Sequence, residues 1–256
     1  WGPEGWLDDI AYGVFITVSL AAATLPVGLM IGFLVALAKQ SNEPSLRLAG
    51  NIYTTIFRGL PELLTLFMIF YGAQIGIQQL MRLYDPAAAV EVNAFVSGMI
   101  ALGVVFSSYA SEVFLSAFRA IPKGQYEGGY SVGLSGWQTL RLVVLPQLIR
   151  ISLPGLANLW LILLKDTALV SAIGLADILR QAGVAARVTK HAFLFFGVAA
   201  LIYLLLAIIS SFGINAIERR VGRQQVQRCA RQQPTWRPRW KNRQQYRAAG
   251  PGNVYW

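Results

Sequence analysis

Long stretches without charge constrain this chain more than any other feature of its sequence. Residues 10–38 and 192–217 contain no Asp, Glu, Lys or Arg, and three further apolar stretches contain one charge each. A helix needs roughly 20 apolar residues to cross the hydrocarbon core of a bilayer. The sequence therefore predicts an all-α membrane protein with about five transmembrane helices. Their predicted bounds are about 11–38, 58–82, 92–118, 143–164 and 192–217.

The distribution of basic residues predicts how these spans are oriented. Up to Ile217 there are 12 basic and 11 acidic residues, whereas residues 218–256 hold 10 basic residues and one acid. Loops rich in Lys and Arg face the cytoplasm. Five spans put the loop after span one, the loop after span three and the tail on one side, with 17 basic residues against five opposite. The segment 165–190 departs from this trend, because it carries four of those five.

This orientation divides the chain into three parts. We predict a periplasmic N-terminal segment (1–10), a membrane domain (11–218) and a basic, disordered cytoplasmic tail (219–256). The chain begins at Trp1 without an initiating Met, so we expect further residues to precede it. The basic excess belongs to a tail beside the bilayer and not to a folded face, so we expect lipid and not nucleic acid as its partner.

Motifs for catalysis are missing from the sequence. It has no G-x-x-x-x-G-K-[ST] phosphate-binding loop, a single cysteine (Cys229) and a single histidine (His191). We therefore predict that the chain is not an enzyme, that it holds no metal, and that any ATP is bound by another chain.

The loop after span three contains the most informative motif. Glu127 is followed by Gly128 and Gly129, then by Gly133, and later by Val143, Leu145 and Pro146. This spacing resembles the EAA loop of binding-protein-dependent ABC importers, although glycines replace its usual alanines. The resemblance implies short cytoplasmic coupling helices that fit a groove of the ATPase subunit. Gly133 can adopt the left-handed conformation that ends a helix, and Pro146 suits the first turn of the next one.

Two further segments resemble the polar amino-acid permeases of the histidine, arginine, octopine and nopaline branch. They are Arg58-Gly59-Leu60-Pro61-Glu62-Leu63-Leu64 and the stretch from Leu164 to Ser171. The resemblance implies a type I ABC importer permease in the bacterial inner membrane, working by ATP-driven alternating access. It implies two ATPase subunits that hold ATP and Mg, a second permease (a sister chain or a copy of this one) and a periplasmic substrate-binding protein.

Ionisable residues inside predicted spans are costly and therefore suggest function. Glu62 stands four residues after Arg58, which is the spacing of a helical ion pair, but it could instead line the cavity and meet a cationic substrate. Glu112 either lines the substrate pathway or has a buried structural role. Lys165, Asp166 and Thr167 either contact substrate or form a local salt bridge.

Two other functions remain open from the sequence. An ion-coupled secondary transporter usually has internal repeats and more spans, neither of which we find. A membrane anchor without transport activity is the second alternative. ATP-dependent uptake in proteoliposomes separates both from an ABC permease.

Overall fold

A computed structural model of the chain describes residues 5–83 and 92–232, and all regular structure in these residues is helical. Nine α-helices follow one another, with a π-helical segment before α7 (Leu140–Val144) and a 3-10 segment after it (Thr167–Ile173). The helices are α1 (Leu7–Gln40), α2 (Pro44–Gly59), α3 (Glu62–Arg82), α4 (Ala94–Ala120), α5 (Lys123–Ser131), α6 (Gly136–Thr139), α7 (Leu145–Asp166), α8 (Ile178–Thr189) and α9 (Ala192–Gln232).

Five helical segments in the described residues are long and apolar enough to cross a bilayer. They are Leu7–Gln40, Glu62–Arg82, Ala94–Ala120, Gly136–Ile173 and Ala192–Arg219. These coincide with the five predicted spans, so the predicted all-α architecture is confirmed.

The second span begins later than predicted, at Glu62 and not at residue 58. Leu60 and Pro61 have extended backbones and separate α2 from α3. Proline removes a backbone donor and disfavours a helical residue before it, so the helix stops here. The amphipathic helix α2 was not predicted, and the interpretation of Arg58 and Glu62 as a pair within one helix is wrong.

The fourth span is longer than the predicted 143–164 and includes a change of helical pitch. It runs from Gly136 to Ile173 and contains the π segment, which ends two residues before Pro146. Pro146 has no N–H to donate to a carbonyl in the preceding turn, and a π turn absorbs such a mismatch. Leu145 donates to the carbonyl of Leu140 across this turn. The apolar residues that follow Asp166 extend α7 as the 3-10 segment, which ends before the left-handed Gly174.

Small residues bring α1 and α4 into close contact along much of their length. A Cβ atom built on Gly32 lies 2.9 Å from the Cβ of Ala110, and one built on Gly28 lies 2.5 Å from Phe106. Small residues are typical of such membrane-helix contacts because they let two backbones approach. The α1–α4 pair forms the centre of the core and fixes the position of Lys39, near the end of α1, relative to Glu112 on α4.

The direction of α7 relative to α4 follows from two contacts. Gly98 lies beside Val170, and Gly155 lies beside Val113, so the two helices are antiparallel. Asp166 falls between these two contact levels. It therefore lies well inside the membrane-spanning part of the protein and not at a surface loop.

The last helix ends beyond the predicted membrane domain. Helix α9 continues to Gln232, which contradicts the predicted disorder for residues 219–232. The remainder of the predicted tail, 233–256, lies outside the described residues, as do residues 1–4 of the predicted N-terminal segment.

Candidate functional site

The loop between α4 and α7 folds into two short helices joined by a tight reversal. Helix α5 ends at Ser131, and Gly133, two residues later, has a left-handed φ of 83°. The Leu134 N–H donates to the Gly129 carbonyl at 3.1 Å, and the Gly133 N–H donates to the Tyr130 carbonyl at 3.0 Å. This pair of bonds is a Schellman motif, which satisfies the last carbonyls of a helix. The predicted role of Gly133 as a helix stop is confirmed.

A capping box starts the second short helix directly after this turn. The Ser135 hydroxyl accepts from the Gln138 N–H at 3.3 Å, and the Gln138 side-chain oxygen accepts from the Ser135 N–H at 2.9 Å. The box satisfies two backbone donors at once. The reversal between α5 and α6 is therefore fixed on both sides by local hydrogen bonds.

Gly129 explains why this loop departs from the alanines of the EAA pattern. It is buried against Thr139, and a Cβ built on it would lie 2.5 Å from Cγ2 and 2.7 Å from Oγ1 of that threonine. Among the described residues, no atom other than the neighbouring backbone of α5 lies within 4 Å of a Cβ built on Gly128, which is exposed. Only one of the two glycines is therefore required by packing, and it is the one that holds α5 against α6.

We predict that Gly129→Ala weakens coupling and that a second change restores it. The added methyl group must displace Thr139, and this displacement moves α6 away from α5. Overpacking of this kind costs roughly 1 kcal/mol, so uptake should fall about threefold to tenfold. Gly129→Ala/Thr139→Ala removes the clash and should recover most of the uptake. ATP-driven uptake at matched expression, with Gly128→Ala as the control, checks this. Equal losses in the single and double variants would contradict the packing explanation.

The outer surface of the loop is open and carries both apolar and charged groups. Glu127 is exposed, together with the large side chains of Tyr130, Val132 and Trp137. Leu145 packs against the core, whereas Pro146 is exposed. Grouped exposed apolar side chains of this kind mark interaction surfaces. The loop therefore offers a rigid projecting surface to a partner.

Glu112 forms an ion cluster with two cations from other helices. The Lys39 Nζ lies 2.5 Å from the Glu112 Oε1, and the Arg58 guanidinium lies 3.5 Å from the same atom. Lys39 also donates to the Thr54 hydroxyl at 3.0 Å. The negative charge of Glu112 is already compensated, so a substrate cation would compete with two resident cations. This favours the structural role for Glu112 over the predicted pathway role.

Glu62 and Asp166 come together from different elements. Glu62 is the first residue of α3 and Asp166 the last of α7, and the charge of Glu62 reaches the Asp166 carboxylate. Both are half-buried, and Lys165 beside them is exposed. Thr167 is fully buried and donates to the Leu164 carbonyl at 2.7 Å, so the predicted substrate contact does not fit its position. Two acids and one lysine leave this site with one excess negative charge.

Sequence reasoning missed Lys39 and Asp177. Lys39 terminates the first uncharged stretch and had no visible partner in the sequence. Asp177 is completely buried and caps α8, accepting from the N–H groups of Leu179 and Arg180. Burial raises the pKa of the Asp177 carboxyl to about 6. An Asp directly before an amphipathic stretch is an N-cap signal that could have identified it.

Comparison with known families and proteins agrees with this arrangement. The family described as "Binding-protein-dependent transport system inner membrane component" matches residues 28–223. The nopaline transport system permease protein of Agrobacterium fabrum is 41% identical, over 87% of this chain and 95% of that protein. The histidine/lysine/arginine/ornithine transport system permease protein of Salmonella typhimurium is 35% identical, over 84% of this chain and 94% of that protein.

Solved structures share the fold. A chain from the crystal structure of an amino acid ABC transporter with histidines superposes with a TM-score of 0.70 at 30% identity, covering 83% of this chain and 94% of that one. A chain of the MetNI methionine ABC transporter in an inward-facing conformation gives 0.68 at 18% identity, over 84% and 97% of the two chains. The second similarity supports the fold alone.

Proposed function

This chain belongs to the family of binding-protein-dependent transport system inner membrane components, and from that premise we propose that it carries polar or cationic amino acids, or opines, across the bacterial inner membrane. It is a permease subunit of an ABC importer and not an enzyme by itself. This membership favours an ABC permease over the two alternatives that the sequence left open, an ion-coupled transporter and a membrane anchor.

The substrate proposal rests on the paired carboxylates of Glu62 and Asp166. The charge of Glu62 reaches Asp166, both residues belong to candidate membrane-spanning segments, and the adjoining Lys165 offsets only one of the two negative charges. Charged groups are expensive in a bilayer unless they are paired. A bound cation would supply the missing charge, and its attraction is stronger in a partly dry cavity than in water. Relatives named for arginine, histidine, octopine and nopaline transport support the same substrate class.

The coupling loop supports the proposed partners. Its two short helices form a fixed surface that exposes Glu127 and Trp137, which suits a groove on an ATPase subunit. Because the sequence has no phosphate-binding loop, ATP and Mg would be bound by that ATPase, and this chain would need no cofactor. A second permease, as a sister chain or a second copy, and a periplasmic binding protein would complete the importer.

Uptake in proteoliposomes tests this proposal. The chain is purified with its ATPase and second permease, ATP and Mg are enclosed, and the binding protein is added outside. Radiolabelled arginine, histidine, octopine and nopaline are compared with leucine and glutamate. We expect uptake of at least one compound of the first group, dependent on ATP and unchanged by a protonophore. Uptake that depends on an ion gradient and not on ATP, or uptake of leucine alone, would contradict the proposal.

A further inference from the structure

The ion cluster around Glu112 contains more positive than negative charge. Lys39 and Arg58 both lie within salt-bridge distance of Glu112. Within the part of the chain that the structure describes, no other carboxylate lies within 4 Å of either cation. The cluster therefore carries one excess positive charge next to the membrane-spanning helices α1 and α4, where an unpaired charge is costly.

The two cations are not held equally. Lys39 is nearly buried, with 7% of its side chain exposed, and its Nζ lies 2.5 Å from Glu112. Arg58 has 45% of its side chain exposed and lies 3.5 Å from the same oxygen. Lys39 is thus the main partner of Glu112, and Arg58 retains donors that can bind another anion.

Arg58 is held in place by an aromatic ring without losing those donors. Its guanidinium carbon lies 5.5 Å from the centroid of the Tyr109 ring on α4. A guanidinium over a ring face keeps its N–H groups in the plane available for hydrogen bonds. Its planar fork matches a carboxylate with two parallel bonds. The planar guanidinium of Arg58 is therefore better suited to bind an external carboxylate than the compact ammonium of Lys39.

The backbone places Arg58 four residues before Glu62, across the break between α2 and α3. Arg58 is in the last turn of α2, and only the extended residues Leu60 and Pro61 separate that helix from Glu62. One side of this break therefore carries an excess cation, and the other carries Glu62, whose charge reaches Asp166. An amino acid presents the opposite pair of charges, a carboxylate and one or more cations.

We propose that Arg58 binds the carboxylate of the transported compound and so determines specificity for amino acids over amines. The inference rests on the proposed function, in which the cationic group of the substrate meets Glu62 and Asp166. Arg58 then binds the carboxylate of the same substrate. A purely structural Arg58, holding α2 to α4 through Glu112 and Tyr109, predicts no preference for a carboxylate.

Equilibrium binding to the assembled transporter tests the assignment. The purified permease–ATPase complex, without binding protein, is titrated with radiolabelled L-arginine and with its decarboxylated analogue agmatine. We expect the wild type to prefer arginine about tenfold or more, as one bidentate charge-assisted contact allows. Arg58→Gln should bring this ratio close to one and leave the agmatine affinity within about twofold. Arg58→Lys should retain part of the preference, since an ammonium donates less well to a planar carboxylate.

Arg47→Gln is the matched control, because Arg47 is an exposed cation on the same helix α2. It should leave the ratio unchanged. Equal weakening of both compounds by Arg58→Gln, or an equal affinity of the wild type for both, would overturn the assignment while leaving the proposed function standing. Failure of the wild type to bind either compound would overturn the assignment, whereas the proposed function is decided by uptake of arginine, histidine, octopine or nopaline in proteoliposomes. If Arg58→Gln does not assemble, the Arg58→Lys ratio decides, and an unchanged ratio there would overturn the assignment.

Discussion

Gly133→Val is expected to reduce ATP-driven uptake about tenfold or more while the chain still inserts into the membrane. Gly133 has a φ of 83°, a conformation that a β-branched residue adopts only with strain of roughly 1–2 kcal/mol. The strain opposes the Schellman turn that ends α5 and sets the direction of α6. Because the reversal orients the whole exposed surface of the loop, a change at this residue should affect every contact with the ATPase.

The measurement pairs two readouts in the same membranes, namely co-purification of the ATPase and uptake of labelled substrate. Both should fall together in Gly133→Val. Gly128→Ala is the control, since Gly128 lies five residues earlier in the same loop with open space around it and a negative φ. It should leave both readouts unchanged or slightly raise them, because alanine favours a helix over glycine by about 1 kcal/mol. Normal uptake in Gly133→Val would exclude the turn as a coupling element.

Local patterns in the sequence predicted the parts of this fold that depend on nearby residues. The uncharged stretches predicted five spans because a bilayer excludes unpaired charge along the whole length of a helix. The stop at Gly133 was predictable because glycine is the residue that adopts a left-handed conformation without strain. Both features need no knowledge of what lies elsewhere in the chain.

Contacts between distant residues were beyond reach from one sequence. Glu112 pairs with Lys39, which is 73 positions earlier, and the sequence offered Arg58–Glu62 as the more obvious pair. Gly129 similarly depends on Thr139, a residue of the next helix. Such pairs are fixed by helix packing and not by spacing along the chain.

The break between α2 and α3 could have been predicted from the sequence alone, and the prediction of one continuous span missed it. Gly59, Leu60 and Pro61 together form a strong helix-ending signal, and Pro61 stands between the two charged residues. We gave more weight to the four-residue spacing than to the proline. The consequence was a span drawn too long and an ion pair assigned to the wrong partner.

Asp166→Asn is expected to reduce the uptake of cationic substrates about a hundredfold, and uptake of neutral ones far less. The substitution preserves the size of the side chain and removes one of the two carboxylates in the pair. Glu62 and Lys165 then compensate each other, so the site loses its excess negative charge. Loss of one charged partner inside a poorly solvated site costs about 3 kcal/mol, which corresponds to this factor.

Initial uptake rates of labelled arginine and of a neutral compound, measured in proteoliposomes at saturating binding protein, separate charge recognition from assembly. Glu62→Gln should reproduce the effect, because it removes the other carboxylate of the pair. Glu43→Gln makes the same chemical change at an exposed residue before α2 and should leave uptake unaltered. A comparable loss for arginine and for the neutral compound in Asp166→Asn would mean that the pair supports the fold and not the cation. That result would place the cationic pole of the substrate elsewhere, because an ion-binding carboxylate must discriminate by charge.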